Sequence, residues 1–554
     1  MNERKKMFWL LAVLSTLVIV PFLGETLFYS KGEPREAIVA YTMLQSGNWI
    51  LPLNYGSDIA FKPPMLYWCI AFFSWLGGGV TEFTSRLPSA LSFLAMLWVV
   101  YAFFAKRKDV RTAFLTALLL LTSFEVHRAA VACRLDMLQV SLIVISLILL
   151  FRWDERGARA FPWLAIVLMA AASLTKGPVG SIFPCLVIGV YQLVRGRNFW
   201  KTLGSLAGIG LLSLVPLALW FWAAYRQGGQ PFIDLMMEEN VGRFTSTMSY
   251  ESHENPVWYN FLTIAWGWIP WSLVLVLSVF YVRWRNFRFR FKMPPVQLFT
   301  WLVIGVIFVF YCIPKSKRSV YLLPIYPFMA VLIAEYLMAL AARGVKLFKV
   351  SGIIFTAVCL LLTLTFAAVR LDLIPASVWG SGRHAAENIA YMHGLRDVSL
   401  SLPQWLLVLL PVIAAVATWR VVAKKGSAHT LLYSIAGCLL TLFVVMDGVY
   451  QPTVLGVKSD IHIARRIGQT VPQGPVYTYE HASFYCINFY LHDRMRHFTV
   501  EKPAGEGYVA LPARDHEKFL KEVGRDYILT ELFRTDRRSC DLRDVIYLYR
   551  FHRK

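Results

Sequence analysis

ETLFYSKGEPREAIVAYTMLQSGNWILPLNYGSDIAFKPPMLYW, residues 25–68, decides how the rest of the chain is read. It follows the first apolar segment and packs Glu33, Arg35, Glu36, Asp58 and Lys62 between aromatics and prolines. Its continuation, 65–78, is apolar but short and aromatic. If 65–78 crosses a bilayer, every later segment runs in one direction; if it lies at the interface, every later segment runs in the other. An ordinary connection between spans needs no such cluster of carboxylates and cations, and charge held against a bilayer points to a reaction site.

The chain around this loop has the composition of a polytopic membrane protein. Of its 554 residues, 57% are hydrophobic and 16% charged, and the mean hydropathy is +0.52. A spanning helix takes about 20 apolar residues. Thirteen segments fit, centred near 8–24, 85–104, 111–124, 135–151, 160–174, 178–194, 202–225, 258–282, 296–312, 319–341, 350–369, 402–419 and 429–447. Lys and Arg placement settles 65–78. If it does not span, the basic clusters Arg4–Lys6, Lys106–Arg111, Arg152–Arg159, Arg195–Lys201, Arg283–Lys292, Arg343–Lys349 and Arg420–Lys425 all fall on one side. That side is cytoplasmic by the positive-inside rule. A spanning 65–78 would break the alternation. No small-residue cleavage site follows the first segment, so it is expected to remain as an anchor. Thirteen spans then place the N-terminus inside and the C-terminus outside. The net charge of +22 is mostly this topology signal, with a share available for anionic lipid head groups; it does not call for nucleic acid.

Two parts are expected: a membrane bundle over 1–447, with a juxtamembrane first loop at 25–84, and a soluble external domain over 448–554. In the second, Val476–Tyr479, Tyr508–Leu511, Tyr527–Leu529 and Val545–Phe551 have strand composition, and Ser483–Leu491 and Asp515–Val523 look helical, which gives a small α/β fold. Six cysteines lie in or beside spans and read as small apolar residues. Cys486 and Cys540 lie in the external tail, where an oxidising compartment allows them to pair.

The outer-face charges form a recurrent set: Glu33 and Arg35 in GEPRE, Lys62 in FKPP, Arg134 and Asp136 in CRLDM, Lys176 in LTKGP, Glu238, Glu239 and Arg243 in MMEENVGRF, and Lys315, Lys317, Arg318 and Tyr321 in PKSKRSVYLLP. A carboxylate can serve as general base or orient an acceptor, and several cations can hold a phosphate or pyrophosphate leaving group. The substrate is then a phosphate carried on a lipid. Plainer roles exist for each. Glu33 and Arg35 could be a surface ion pair. Asp136 could cap its helix, and Lys176 could snorkel. Glu238 and Glu239 could only solvate an amphipathic helix. Lys315, Lys317 and Arg318 violate the charge bias of an external loop, which favours anion binding. His253, His384, His393 and the tail histidines show no metal-ligand spacing and are read as solvated.

In this order, the residues resemble the lipid-linked-sugar glycosyltransferases of the GT-C class, and most closely the lipid A aminoarabinose transferases and their relatives, the protein O-mannosyltransferases. GEPREAIVAYTMLQSGNWILP is similar to the family's acidic first-loop motif, and KPPMLYW to its Lys-Pro-Pro segment. Asp136, the Thr175-Lys176-Gly177 turn, Arg243-Phe244 before Pro256-Val257-Trp258-Tyr259, and Lys317 to Pro324 fall in family order. The resemblance implies a mainly α GT-C bundle of about 13 spans, with two juxtamembrane helices in the first loop. It implies an undecaprenyl-phosphate-type sugar donor, with Arg35, Lys62, Arg243 and Tyr321 lining the donor cavity and Asp136 as a second acid. The chain departs from the motif at Gly32, where the family has Asp ahead of Glu33, and at Phe61, where it often has Glu.

The function expected is transfer of a sugar from a polyprenyl-phosphate carrier to an envelope acceptor such as a lipid A phosphate, in the bacterial inner membrane. Glu33 is expected as the catalytic or acceptor-orienting acid, with Asp136 in support. Arg35, Lys62, Lys176, Arg243, Lys315, Lys317 and Tyr321 are expected to bind phosphate. No nucleotide-sugar motif, Gly-rich phosphate loop or metal cluster is evident, so no cofactor or metal is implied. The rivals are transfer to protein Ser or Thr, which requires a true base, and a lipid transporter or flippase, which expects charges at mid-membrane depth and broken helices in paired halves.

Overall fold

The computed structural model describes residues 2–60, 62–239, 254–282, 293–379, 382, 385–480 and 483–554. Each of the thirteen apolar segments is a helix or a bent pair of helices. Among the described residues, eight helices are long and apolar enough to cross a membrane, or ten spans if each of two bent pairs counts as one. The other three, Glu3–Ile19, Trp163–Lys176 and Val179–Val194, have 17, 14 and 16 residues. At about 1.5 Å per residue they reach roughly 21–26 Å, short of the ~30 Å hydrocarbon core. This is a multi-span membrane protein.

Two segments expected to be straight are not. In 258–282, helices Trp258–Gly267 and Trp271–Val279 meet at 107°. Pro270 lies between them, and a proline can neither donate to the helical ladder nor tolerate the preceding carbonyl. In 111–124, helix Val110–Leu121 turns by 70° into Phe124–Ala130. That turn carries His127 inward, where its Nε2 meets Asp447 Oδ2 at 2.6 Å. Both side chains are buried.

The first loop folds as two short helices, Gly32–Ser46 and Met65–Leu76. Between them the strands β1 (Leu53–Asn54) and β2 (Asp58–Ile59) pair antiparallel. The first helix ends at Gly47, whose φ of 70° is the left-handed cap that favours glycine. The second helix has 12 residues, about 18 Å, shorter than the ~30 Å hydrocarbon core. Its buried Leu66 and Ile70 pack against Ala37 and Ile38 of the first.

The last span runs without a break across residue 447, from Ala428 to Lys458. Beyond it lies a five-stranded mixed sheet in the order β4-β3-β5-β7-β6: β3 (Val476–Thr478), β4 (Met495–His497), β5 (Glu506–Pro512), β6 (Tyr527–Arg534) and β7 (Ile546–Arg553). Four strands and the helices Tyr485–Tyr490 and His516–Val523 fall where composition placed them. β4 was not expected, because the three residues Met-Arg-His carry no strand signature. Alternation along β7 sends Ile546 and Leu548 to one buried face, and Tyr549 and Phe551 to the other.

This domain is clamped onto the first loop. Thr42 Oγ1 donates to Asp493 Oδ2 at 2.9 Å, and Tyr490 Oη donates to Glu82 Oε1 at 2.7 Å. His497 Nε2 meets Asp58 Oδ2 at 2.7 Å. His497, expected to be solvated, is 2% exposed. Beneath the clamp the Cys486 amide donates to Asp541 Oδ2 at 2.7 Å. Burial, with Asp460 adding to it, pushes the Asp541 carboxyl up to about 7; the Cys486 amide, Cys540 and Lys31 act the other way. An unfolded Asp has a pKa of about 3.9, so the native state holds this proton more tightly. Its contribution is favourable in acid and is lost as pH rises from about 4 through 7. Thermal unfolding at stepped pH is expected to show Asp541→Asn gaining on the wild type across that window.

Candidate functional site

The charges converge because several helices start or stop at the same end of the bundle. Glu33 sits in the first turn of Gly32–Ser46, and Arg86 near the start of Glu82–Arg107, a helix opened by a Thr81–Thr84 capping box. Asp136 lies in the first turn of Leu135–Glu155, and Lys176 in the last turn of Trp163–Lys176. An acid at a helix start and a cation at a helix end each complement the helix dipole.

Glu33 accepts three hydrogen bonds from two partners. Arg86 binds it with two prongs, Nε to Oε2 at 2.9 Å and Nη2 to Oε1 at 3.1 Å. The Cys133 amide donates to Oε2 at 2.8 Å. Arg86 Nη1 also donates to the Leu23 and Thr26 carbonyls at 2.7 and 2.6 Å. Burial alone would raise the Glu33 pKa; Arg86, its hydrogen bonds, the Cys133 amide and Arg134 outweigh that and hold the carboxyl below its usual value. Of the plainer readings of Glu33 and Arg35, the surface ion pair is therefore not found, and Glu33 does lie in a helix start. Arg35 bonds its neighbour Glu36 instead, Nη2 to Oε1 at 2.6 Å, and Tyr67 Oη closes on Glu36 Oε2 at 2.9 Å.

Asp136 does not cap its helix. Its Oδ1 accepts from Lys176 Nζ at 2.5 Å, and the N-cap residue is Arg134. Lys176 Nζ lies 4.9 Å from the Tyr321 ring centre, and Tyr321 stacks on Tyr311 at 5.3 Å. Asp136, Lys176 and Tyr321 thus form one unit. The Cys133–Arg134 backbone joins it to Glu33.

Lys62 Nζ bonds Glu239 Oε2 at 3.3 Å. Glu239, expected to do no more than solvate a helix, is buried. This pair and Lys176 flank one apolar cluster that holds Leu51, Leu174, Phe232 and Met236. The 313–318 loop is pinned by Asn255, whose amide donates to the Lys315 carbonyl at 3.1 Å and whose side chain donates to the Lys317 carbonyl at 3.3 Å. Lys317 is buried, and its ammonium donates to the Pro314 carbonyl. Arg243 lies outside the described residues, as does Phe61. A cavity of about 250 Å³ lies elsewhere, lined by Tyr41, Glu82, Arg465, Tyr490 and His492 among others.

Sequence reasoning missed Arg86 and Tyr67, and it named Glu36 in the first loop without its partners. A signal existed for Arg86: a cation just inside the end of a span is costly unless it has a partner. Glu36 and Tyr67 meet only through the packing of the two loop helices.

Residues 61–222 match the family described as dolichyl-phosphate-mannose-protein mannosyltransferase. An uncharacterized protein of Aquifex aeolicus (strain VF5) is 32% identical over 314 residues, covering 56% of this chain and 68% of that protein. The undecaprenyl phosphate-alpha-4-amino-4-deoxy-L-arabinose arabinosyl transferase of Pectobacterium carotovorum subsp. carotovorum (strain PC1) is 26% identical over 461 residues, 81% of this chain and 77% of that enzyme. Crystalline ArnT from Cupriavidus metallidurans, bound to undecaprenyl phosphate, shares the fold with a TM-score of 0.70 at 20% identity, over 98% of this chain and 97% of that one. From the matched family, these relatives and the shared fold, the chain belongs to the lipid-linked-sugar glycosyltransferases of the GT-C class.

Proposed function

We propose that the protein moves a sugar from an undecaprenyl-phosphate-type carrier to an envelope acceptor that presents a phosphate, as lipid A does. The bond between the sugar's anomeric carbon and the carrier's phosphate oxygen breaks. A bond to the acceptor oxygen forms, and the carrier leaves as polyprenyl phosphate. The state of the carboxylates supports this reading. Glu33, Glu36 and Asp136 each bond a cation, and Glu33 is a weakened base. A protein hydroxyl must lose a proton to attack, and these groups are poorly placed to take it. A phosphate monoester, with a second pKa of about 6, is already ionised at neutral pH. This arrangement favours a phosphate acceptor over the Ser or Thr acceptor of the rival reading.

In this proposal Lys62, Lys176, Lys315, Lys317, Arg35, Arg243 and Tyr321 hold phosphate, and Asp136 touches the bound head groups through Lys176. Glu33 keeps the orienting role of the two first expected for it, since its carboxylate is committed to Arg86 and Cys133. The site and the domain after residue 447 face outward, with the N-terminus cytoplasmic. Protein in nanodiscs, given the undecaprenyl-phosphate-linked aminoarabinose and lipid A, tests the reading. A mass gain of one sugar on lipid A supports it. Sugar on a Ser/Thr peptide, and none on lipid A, contradicts it.

The outward placement carries its own prediction. Cys486, Cys540 and Asp460 bring ligand atoms within 4.8 Å of one another. In an oxidising compartment the two thiols give two electrons and two protons to a protein disulfide and become joined. Non-reducing peptide mass spectrometry is expected to find a Cys486–Cys540 link. Free thiols releasing a bound metal on chelation, or free thiols alone, would place the domain in a reducing compartment or assign the cluster to a metal.

A further inference from the structure

Arg134 differs from the cations that surround Glu33, Glu36 and Asp136. Arg86, Arg35, Lys176, Arg128 and Lys62 each bond a carboxylate. The Arg134 backbone is fixed: its amide donates to the Ala132 carbonyl at 2.9 Å, and its carbonyl accepts from Ser89 Oγ at 3.1 Å. Among the described residues its guanidinium makes no hydrogen bond and no ion pair. It is half-buried and sits within electrostatic reach of both Glu33 and Asp136, which are already occupied by Arg86 and Lys176.

The guanidinium lies over Gly32. A Cβ at Gly32 would meet Arg134 Nη2 at 2.7 Å, Cζ at 3.5 Å and Nε at 3.6 Å. Gly32 opens the helix Gly32–Ser46 and is not among the residues with positive φ. Its backbone therefore does not require glycine, but the space above it does. Any side chain there displaces the guanidinium, and an acidic one would pair with it and cancel its charge. An Arg whose planar fork is held next to two committed acids is built to receive an oxyanion in two-pronged fashion.

We propose that Arg134, given its place by Gly32, is a phosphate-recognising and specificity-determining residue of this enzyme. This rests on the transferase reading above. The phosphate is that of the carrier or that of the acceptor, and the chemistry of recognition is the same for both.

Wild type, Arg134→Gln and Gly32→Asp in nanodiscs are titrated with undecaprenyl phosphate, undecaprenol, lipid A and dephosphorylated lipid A, with intrinsic tryptophan fluorescence as the readout. Both variants are expected to bind one phosphate-bearing probe at least about tenfold more weakly. The neutral probes and the other phosphate probe should be unaffected, which also shows that the variants are folded. The weakened probe names the source of the phosphate. In Arg134→Gln, adding Gly32→Asp should cost nothing further. If both variants bind both phosphate probes as tightly as the wild type, the proposal is overturned while the transferase reading stands. If the wild type itself cannot tell phosphate from neutral probes, both fall.

Discussion

Arg86→Met is expected to lower the unfolding free energy by about 3–5 kcal/mol and to abolish transfer. The side chains of Arg86 and Glu33 are 4% and 9% exposed. Removing the guanidinium leaves a buried carboxylate with only the Cys133 amide, and it also frees the Leu23 and Thr26 carbonyls. The cost comes from stranding the charge more than from losing attraction. Arg86→Met combined with Glu33→Gln is therefore expected to recover much of the stability while transfer stays low, because the first loop loses its anchor. Denaturation in mixed micelles reads the stability of the single and double variants. A double variant as unstable as the sum of the two singles would show that Arg86 and Glu33 act independently.

Lys176→Met is expected to lower the transfer rate by about 10²–10³-fold, the usual effect of deleting one donor to a developing anion. Its loss also removes the hydrogen-bonded cation from Asp136 where a phosphate must arrive, so repulsion adds to the missing bond. Side-chain exposures of 21% for Lys176 and 13% for Asp136 make the pair less buried than Glu33–Arg86, and stability should fall less. Lys176→Arg keeps the charge and should retain part of the rate. Paired measurements of rate and unfolding on these variants separate the two effects. A rate unchanged in Lys176→Met would remove Lys176 from the phosphate site.

Much of the fold was legible in the sequence because the bilayer imposes simple rules. Segments of sufficient length and apolarity gave the helices, and the shortness of 65–78 is matched by its 12-residue helix. The bends were less legible. Pro270 is a local mark, but the turn at Thr122–Ser123, where the apolar run ends, has no proline or glycine and depends on where Phe124–Ala130 can pack. At the site, residue types were readable and partners were not. GEPRE reads as a Glu33–Arg35 pair, yet neighbours two apart on a helix do not face each other, and Glu33 finds an Arg 53 positions away. The clamp between the tail and the first loop was invisible for the same reason: Thr42 and Asp493 meet across 451 residues. Gly32 could be seen as an anomaly in a motif, but only the structure shows Arg134 in the space it leaves.

The central claim is that this protein places a sugar on an envelope acceptor from a polyprenyl-phosphate carrier. Mass spectrometry of lipid A and other envelope glycolipids from a strain lacking the protein tests it most directly. One sugar mass on a phosphate-bearing lipid is predicted to disappear, to return with the wild-type chain, and to stay missing with Lys176→Met. An unchanged set of envelope lipids in the deletion strain, or full restoration by Lys176→Met, would contradict the account.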